Sequence, residues 1–167
     1  MSAERPLFIP VILGTPRQGR MSEHAARFVL GQVRKREGVK DARFSAAMNR
    51  ADGLVIVTPE YNHGYPGMLK HALDTNLKEY VHKAVGVCGV SAGGFGGTRV
   101  IENLLPVLRE LGLVTIFWDL NFSSVGKVFD RSGALLDESY VKRADKFLGE
   151  LVWMAKVLRH GRENVPL

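Results

Sequence analysis

Residues 51–74, ADGLVIVTPEYNHGYPGMLKHALD, contain in one stretch the pattern on which the fold turns. Leu54 to Val57 is continuously apolar and rich in β-branched residues, as expected of a strand covered on both faces. Pro59 to Gly67 follows, dense in Pro, Gly, Asn and Tyr, and reads as a loop. Pro66 to Leu77 then sets Leu69, Ala72, Leu73 and Leu77 at helical spacing. The same order of strand, loop and helix recurs on either side. Upstream, Leu7 to Leu13 leads through a Gly- and Arg-containing loop into a helix over Ser22 to Lys35, with Ala25, Phe28 and Val29 on one side. Downstream, Ala84 to Val90 leads through a glycine-rich loop into Thr98 to Leu111, striped by Ile101, Leu104, Leu105, Leu108 and Leu111, where Pro106 is expected to kink or restart the helix. Leu113 to Trp118 reads as a further strand. Asp137 to Arg159 is the clearest helix, with Val141, Ala144, Leu148, Leu151, Val152, Ala155 and Leu158 recurring at threes and fours.

Alternating buried strands and helices predict a three-layer α/β fold, a doubly wound parallel sheet of the flavodoxin-like or Rossmann-like class, in a single domain over residues 1–167. Four strands are well formed. The segment Gly38 to Asn49 is too short for another strand with its crossover, so a second strand in chain order is expected to be short or missing near Val39 to Phe44.

Composition narrows the function. With 46% hydrophobic and 24% charged residues in 167, the chain is an ordinary globular protein and not a disordered or fibrous one. It holds no apolar run of the roughly 18 residues a membrane span needs, and its first residues, MSAERPLFIPVILG, lack a cleavage-like site. No membrane partner and a cytoplasmic location are expected. The single Cys88 gives neither a disulfide framework nor a Cys metal cluster, and the histidines lack metal-ligand spacing, so no metal is expected. The net charge of +6 arises in the first 50 residues, which contain ten Lys or Arg and four Asp or Glu. Arg27, Arg34, Lys35 and Arg36 follow a helical stripe and read as a solvated face, and no recognition motif points to nucleic acid. Arg17 and Arg20 differ because they stand in a loop.

In open parallel sheets ligands bind outside the carboxyl ends of the strands. The first loop, Gly14 to Ser22, supplies Thr15, Arg17, Arg20 and Ser22 just before a helix start, where backbone N–H groups, the helix dipole, hydroxyls and guanidinium forks together suit a phosphate. It matches neither the dinucleotide fingerprint nor the P-loop. The second loop offers Pro59, Glu60, Tyr61 and Asn62, a fixed turn with stacking surface and amide hydrogen bonds. The third, Ser91, Ala92, Gly93 and Gly94 onward, lets backbone approach a flat ligand.

Three stretches resemble the NADPH-dependent FMN reductase family of flavodoxin-like proteins. GTPRQGRMS is similar to the family's phosphate loop, ADGLVIVTPEYNHGYPGMLKHALD to its long P-E-Y-N segment, and GVSAGGFGGTRV to its glycine-rich flavin loop. The resemblance covers most of residues 7–120. It implies FMN as cofactor, NADPH or NADH as reductant, and a small-molecule electron acceptor such as a quinone, azo compound, metal oxyanion or free flavin. It puts Thr15, Arg17, Arg20 and Ser22 around the phosphate, Pro59, Glu60, Tyr61 and Asn62 along the ring, and Ser91, Ala92, Gly93 and Gly94 along its other edge. No catalytic side chain is demanded, because the cofactor brings the hydride chemistry. A homodimer or homotetramer is implied as well, with His63 to Tyr80 as the candidate contact. Thr15 stands where Ser is usual and His71 where Asn is common.

Two other functions stay open at this level. Gly89-Val90-Ser91-Ala92-Gly93 matches a hydrolase nucleophile elbow, with Asp119 or Asp130 and His160 following in triad order. A non-catalytic electron carrier of the same fold is the other, although carriers often present acidic surfaces and this chain is basic.

Overall fold

The computed structural model describes residues 5–34 and 44–167. In chain order the elements are β1 (Val11–Leu13), α1 (Met21–Arg34), α2 (Phe44–Arg50), β2 (Gly53–Pro59), α3 (Gly67–Asp74), β3 (Ala84–Val90), α4 (Thr98–Glu110), β4 (Val114–Thr115), β5 (Leu120–Phe122), α5 (Val125–Val128) and α6 (Ser139–Asn164). The sheet runs β1-β2-β3, all parallel, and both β4 and β5 pair in parallel with β3.

Side-chain alternation along the central strands builds two cores. Val55, Val57 and Cys88 face a layer made by α1 and α6, with Ala25, Val29, Phe147, Leu148 and Leu151. Leu54, Ile56, Val85 and Val87 face the opposite layer, with Met48 of α2, Leu73 of α3 and Ile101, Leu104 and Leu108 of α4. A period of two on strands meeting stripes of three and four on helices is the arrangement that buries both faces of a sheet. Gly86 is required by this packing: a Cβ there would lie 2.4 Å from Phe147 Cζ, so any side chain would push α6 off the sheet. Cys88 is fully enclosed, and burial raises its thiol pKa well above the ordinary value.

Several expectations change. The fourth strand is not one run over Leu113 to Trp118. Val114 sits opposite Ala84 and Leu120 opposite Cys88, offsets of 30 and 32, so two extra residues are looped out and the strand divides into β4 and β5. The looped-out segment exposes Phe117 and Trp118, which pack edge to face at 4.8 Å with Lys146 over the indole. Helix α4 continues through Pro106. The first helix begins one residue earlier than expected, α3 is shorter, and α6 begins later and extends to Asn164. The short helices α2 and α5 had no sequence expectation. The strand expected near Val39 to Phe44 lies outside the described residues except for Phe44, which opens α2.

Candidate functional site

Strands β1, β2 and β3 end at the same edge, and the three loops named from sequence stand there. In the first, Gly14 N donates to Val57 O at 2.8 Å, which holds the loop against β2. The buried Thr15 shares a hydrogen bond of 3.1 Å with Tyr61 OH and accepts one from Arg17 N at 3.3 Å. Arg20 folds back to donate to Arg17 O and lies 3.7 Å from Glu23. Ser22, in the first turn of α1 and only 3% exposed, presents a hydroxyl with no hydrogen-bond partner, and Arg20 Nε is equally buried and unpaired. Two orphaned donors at a helix N-terminus form an anion cradle.

The second loop is a tight turn. Tyr61 and Gly64 exchange both backbone hydrogen bonds at 2.9 Å, and the residues between, Asn62 and His63, have φ of 48° and 68°. Both central residues at positive φ is the geometry of a type I′ hairpin turn, which Asn tolerates and His adopts only when held. The hold comes from α4: Arg99 Nη1 meets His63 Nε2 at 2.9 Å, and Asn103 Nδ2 donates to His63 O at 2.7 Å. Arg99 also forms an ion pair with Glu60, whose side chain is 5% exposed, and stacks over Phe95 at 4.7 Å. One Glu60 carboxylate oxygen, Oε2, is buried without a partner.

In the third loop, Ser91 N donates to Phe122 O at 3.1 Å, while Ser124 N donates to Gly93 O and Val125 N to Ser91 O at 2.8 and 3.1 Å. The segment following β5 therefore fixes this loop from below. Its glycines divide into two groups. Gly97 has a φ of 77°, and a Cβ there would lie 2.7 Å from Val90 N, so it is required by backbone contact with β3. Gly93 and Gly94 have nothing within 4 Å of a Cβ and border open space.

A cleft of about 440 Å³ lies between the loops, within the roughly 300–1,000 Å³ common for small-molecule sites. Of the residues expected from sequence, Arg17, Arg20, Ser22, Pro59, Glu60, Tyr61, Ser91, Ala92 and Gly93 line it. Thr15 does not; with Pro16 and Pro66 it lines a shallower adjoining cleft of about 390 Å³, which Arg17 and Tyr61 also border. Asn62 and Gly94 line neither cleft; Asn62 serves the turn. Met21, Val90, Arg99 and Val125 were missed. Arg99 could have been found, as a charged residue opening the helix that the glycine-rich loop feeds; Val125 could not, since it arrives from a segment with no motif.

Among the described residues, Ser91, Asp130 and His160 make their hydrogen bonds elsewhere than with one another. Ser91 Oγ donates to Gly93 O at 2.8 Å. His160 lies at the far end of the sheet, where neighbouring Arg159 and Arg162 reach Arg5 O and His82 O. Asp130 accepts three hydrogen bonds from the Ser132 to Ala134 turn. Among the described residues no group of three or more His, Cys, Asp or Glu could hold a metal ion.

Residues 39–125, just over half the chain, match the NADPH-dependent FMN reductase family. The chain belongs to that family. It is 31% identical over 120 residues to the NADH:(hydroxy)cinnamate reductase subunit CrdA of Vibrio ruber, covering 68% of this chain and 59% of that one. An NAD(P)H-dependent FMN reductase of Pseudomonas aeruginosa is 34% identical over 101 residues, covering 58% of this chain and 55% of the relative. The alignments thus span little more than half of these curated relatives. The structure resembles FerB, a flavoenzyme NAD(P)H:(acceptor) oxidoreductase from Paracoccus denitrificans, with a TM-score of 0.73 at 20% identity over 90% of this chain and 98% of that one. It also resembles a short-chain flavodoxin associated with a bacterial microcompartment, with a TM-score of 0.64 at 20% identity over 89% of this chain and 99% of that one, so the fold is flavodoxin-like, one of the two classes that the alternation of strands and helices predicted. No helix among the described residues is long and apolar enough to cross a membrane.

Proposed function

We propose that the cleft binds FMN and that the family member described here passes reducing equivalents from NADPH or NADH to a small-molecule acceptor, a quinone or azo compound first among the classes the family resemblance implies. The observation that carries this is the buried Ser22 hydroxyl, unpaired at the N-terminus of α1 beside Arg17 and Arg20. A phosphate oxygen would satisfy it and the orphaned Arg20 Nε together, and the helix dipole would add to the attraction. The cleft volume and its two walls, Pro59 to Tyr61 and Ser91 to Gly93, fit a flat ring extending from that phosphate.

FMN, when bound, supplies the hydride-accepting and electron-donating chemistry. The chain's own part is to bind and orient. Thr15, Arg17, Arg20 and Ser22 form the phosphate end, with Thr15 acting through its bonds to Arg17 N and Tyr61 OH. Glu60, Tyr61 and Asn62 fix the ring-side turn, and Arg99 braces that turn from α4. Gly93 keeps the opposite wall free of a side chain. No side chain is asked to act as acid, base or nucleophile.

We also propose a cytoplasmic homo-oligomer, dimer or tetramer, meeting through His63 to Tyr80. Support comes from Met68 and Leu77 on this stretch, which are 57% and 59% exposed. A monomeric sedimentation profile of the flavin-loaded protein would remove that assignment. The flavin assignment is tested by absorbance of the protein reconstituted with FMN, before and after anaerobic NADPH. A bound flavin bleached by NADPH is the expected result. Failure to retain FMN refutes the cofactor, and a bound flavin that NADPH cannot bleach refutes the reductase.

A further inference from the structure

A larger cavity, about 640 Å³, opens at the opposite end of the sheet. Leu7 and Phe8 lead into β1 there, Ala51 into β2, and Lys83 into β3. Seven residues of β3 separate it from the flavin cleft, roughly 23 Å at the usual rise of a strand. Its lining carries four cations, Arg5, Arg50, Lys83 and Arg162, against one carboxylate, Glu163. Beneath them Asp52 is wholly buried and lies 3.9 Å from Arg159. Among the described residues of both layers, five positive groups face Asp52 and Glu163, and Glu79 also acts on Lys83, which leaves an excess of two positive charges.

The buried carboxylate is already saturated. Asp52 accepts both Arg5 donors at 2.9 and 2.7 Å, Phe8 N at 3.0 Å and Arg162 Nη2 at 3.3 Å, which occupies about the four acceptor positions a carboxylate offers. Lys83 turns to the backbone, donating to Met48 O and Asn49 O at the end of α2. Arg50 stands over the Phe8 ring at 4.9 Å. Burial and the nearby Arg162 lower the Lys83 pKa to about 8, and burial lowers that of Arg162. Positive charge is thus held here against desolvation and mutual repulsion, and a negative ligand would relieve both. Apart from the polar Asn49, the rest of the lining is apolar: Pro6, Leu7, Phe8 and Ala51.

We propose that this cavity is a second ligand site, for a small organic anion whose carboxylate or phosphate head meets Arg50, Lys83 and Arg162 and whose flat apolar body lies on Pro6, Leu7 and Phe8. The site does not rest on the flavin assignment, because it shares no residue with that cleft.

The test is a titration of the full-length ¹⁵N-labelled protein at constant ionic strength with benzoate, with phenyl phosphate and with neutral benzamide. Benzoate is expected to move the amide signals of Leu7, Phe8, Asn49, Arg50 and Lys83 saturably, leaving those of Ser91 to Gly94 in place; phenyl phosphate is expected to move the same five signals, whatever it does at the phosphate-binding cleft around Ser22, while benzamide moves none. R50Q removes a cation that makes no hydrogen bond to Asp52, so the fold is kept, and it should weaken the anion about tenfold or more, the worth of one charge-assisted contact. The site is overturned if neither anion gives saturable shifts up to about 10 mM, if benzamide binds as well as the anions, if shifts appear at Ser91 to Gly94 alone, or if R50Q binds unchanged.

Discussion

Replacing Ser22 with Ala separates a ligand contact from a structural one, because the two give opposite signs. In the flavin-free protein the Ser22 hydroxyl is buried and bonded to nothing. An unsatisfied buried polar group costs about 1–3 kcal/mol, part of which its removal returns, and Ala is the better helix former in the first turn of α1 by a few tenths of a kcal/mol. S22A should therefore leave the flavin-free protein as stable as the parent or up to about 1 kcal/mol more stable. With FMN the same hydroxyl would donate to a charged phosphate oxygen. Such bonds contribute about 1.5–3 kcal/mol, so affinity should fall about 10- to 150-fold. Thermal unfolding without flavin reads the first quantity, and quenching of FMN fluorescence on titration with protein reads the second. Unchanged FMN affinity would remove Ser22 from the phosphate site. A loss of more than about 1 kcal/mol in the flavin-free variant would mean that the hydroxyl has a structural partner, and the orphan argument fails.

Three further outcomes follow from the same geometry. Arg99→Met strips the ion pair from a Glu60 carboxylate that is 5% exposed; it should cost about 1–3 kcal/mol in urea unfolding, and adding Glu60→Gln should recover at least half, whereas additive losses would show that the pair is not coupled. Gly97→Ala, at a φ of 77° with backbone 2.7 Å from its Cβ, should cost about 3 kcal/mol or more, while Gly93→Ala, with nothing within 4 Å, should unfold like the parent yet bind FMN more weakly; equal stabilities would refute the division of roles in that loop. Because the Lys83 pKa is lowered to about 8, the folded chain holds fewer protons than the unfolded one between that pH and the ordinary lysine range. Stability should therefore rise with pH across about 8 to 10, by up to about 3 kcal/mol, and Lys83→Met should flatten the slope; a parent whose stability falls across that window would contradict the burial of this ammonium.

The sequence was informative where structure is local. Leu54 to Val57 and Ala84 to Val90 are apolar throughout because helices cover both faces of those strands, so a run of a few residues suffices to identify them. The stripes of α4 and α6 repeat at threes and fours for the same reason. The loop residues that line the cleft were readable because phosphate and ring binding at strand ends call for particular residue types in short order. The divided strand is different. Leu113 to Trp118 looks like one strand, and only pairing with β3 shows two residues looped out before Leu120. Helices α2 and α5, 7 and 4 residues long, are too short to show a stripe.

The residues the sequence missed share one property, that their roles depend on partners far along the chain. Arg99 acquires meaning from Glu60 and His63, and Val125 from Ser91. Asp52 reads as a turn residue before a strand until Arg5, Arg159 and Arg162 converge on it from both ends of the chain. What the sequence by itself determined is the order of buried strands and helices and the loops that carry binding chemistry, since hydrophobic periodicity and turn composition are properties of neighbouring residues. Which cations share a carboxylate, which glycines meet backbone and which hydroxyl is left unpaired were decided only by the tertiary structure, because each depends on burial and on contacts between segments that periodicity does not encode.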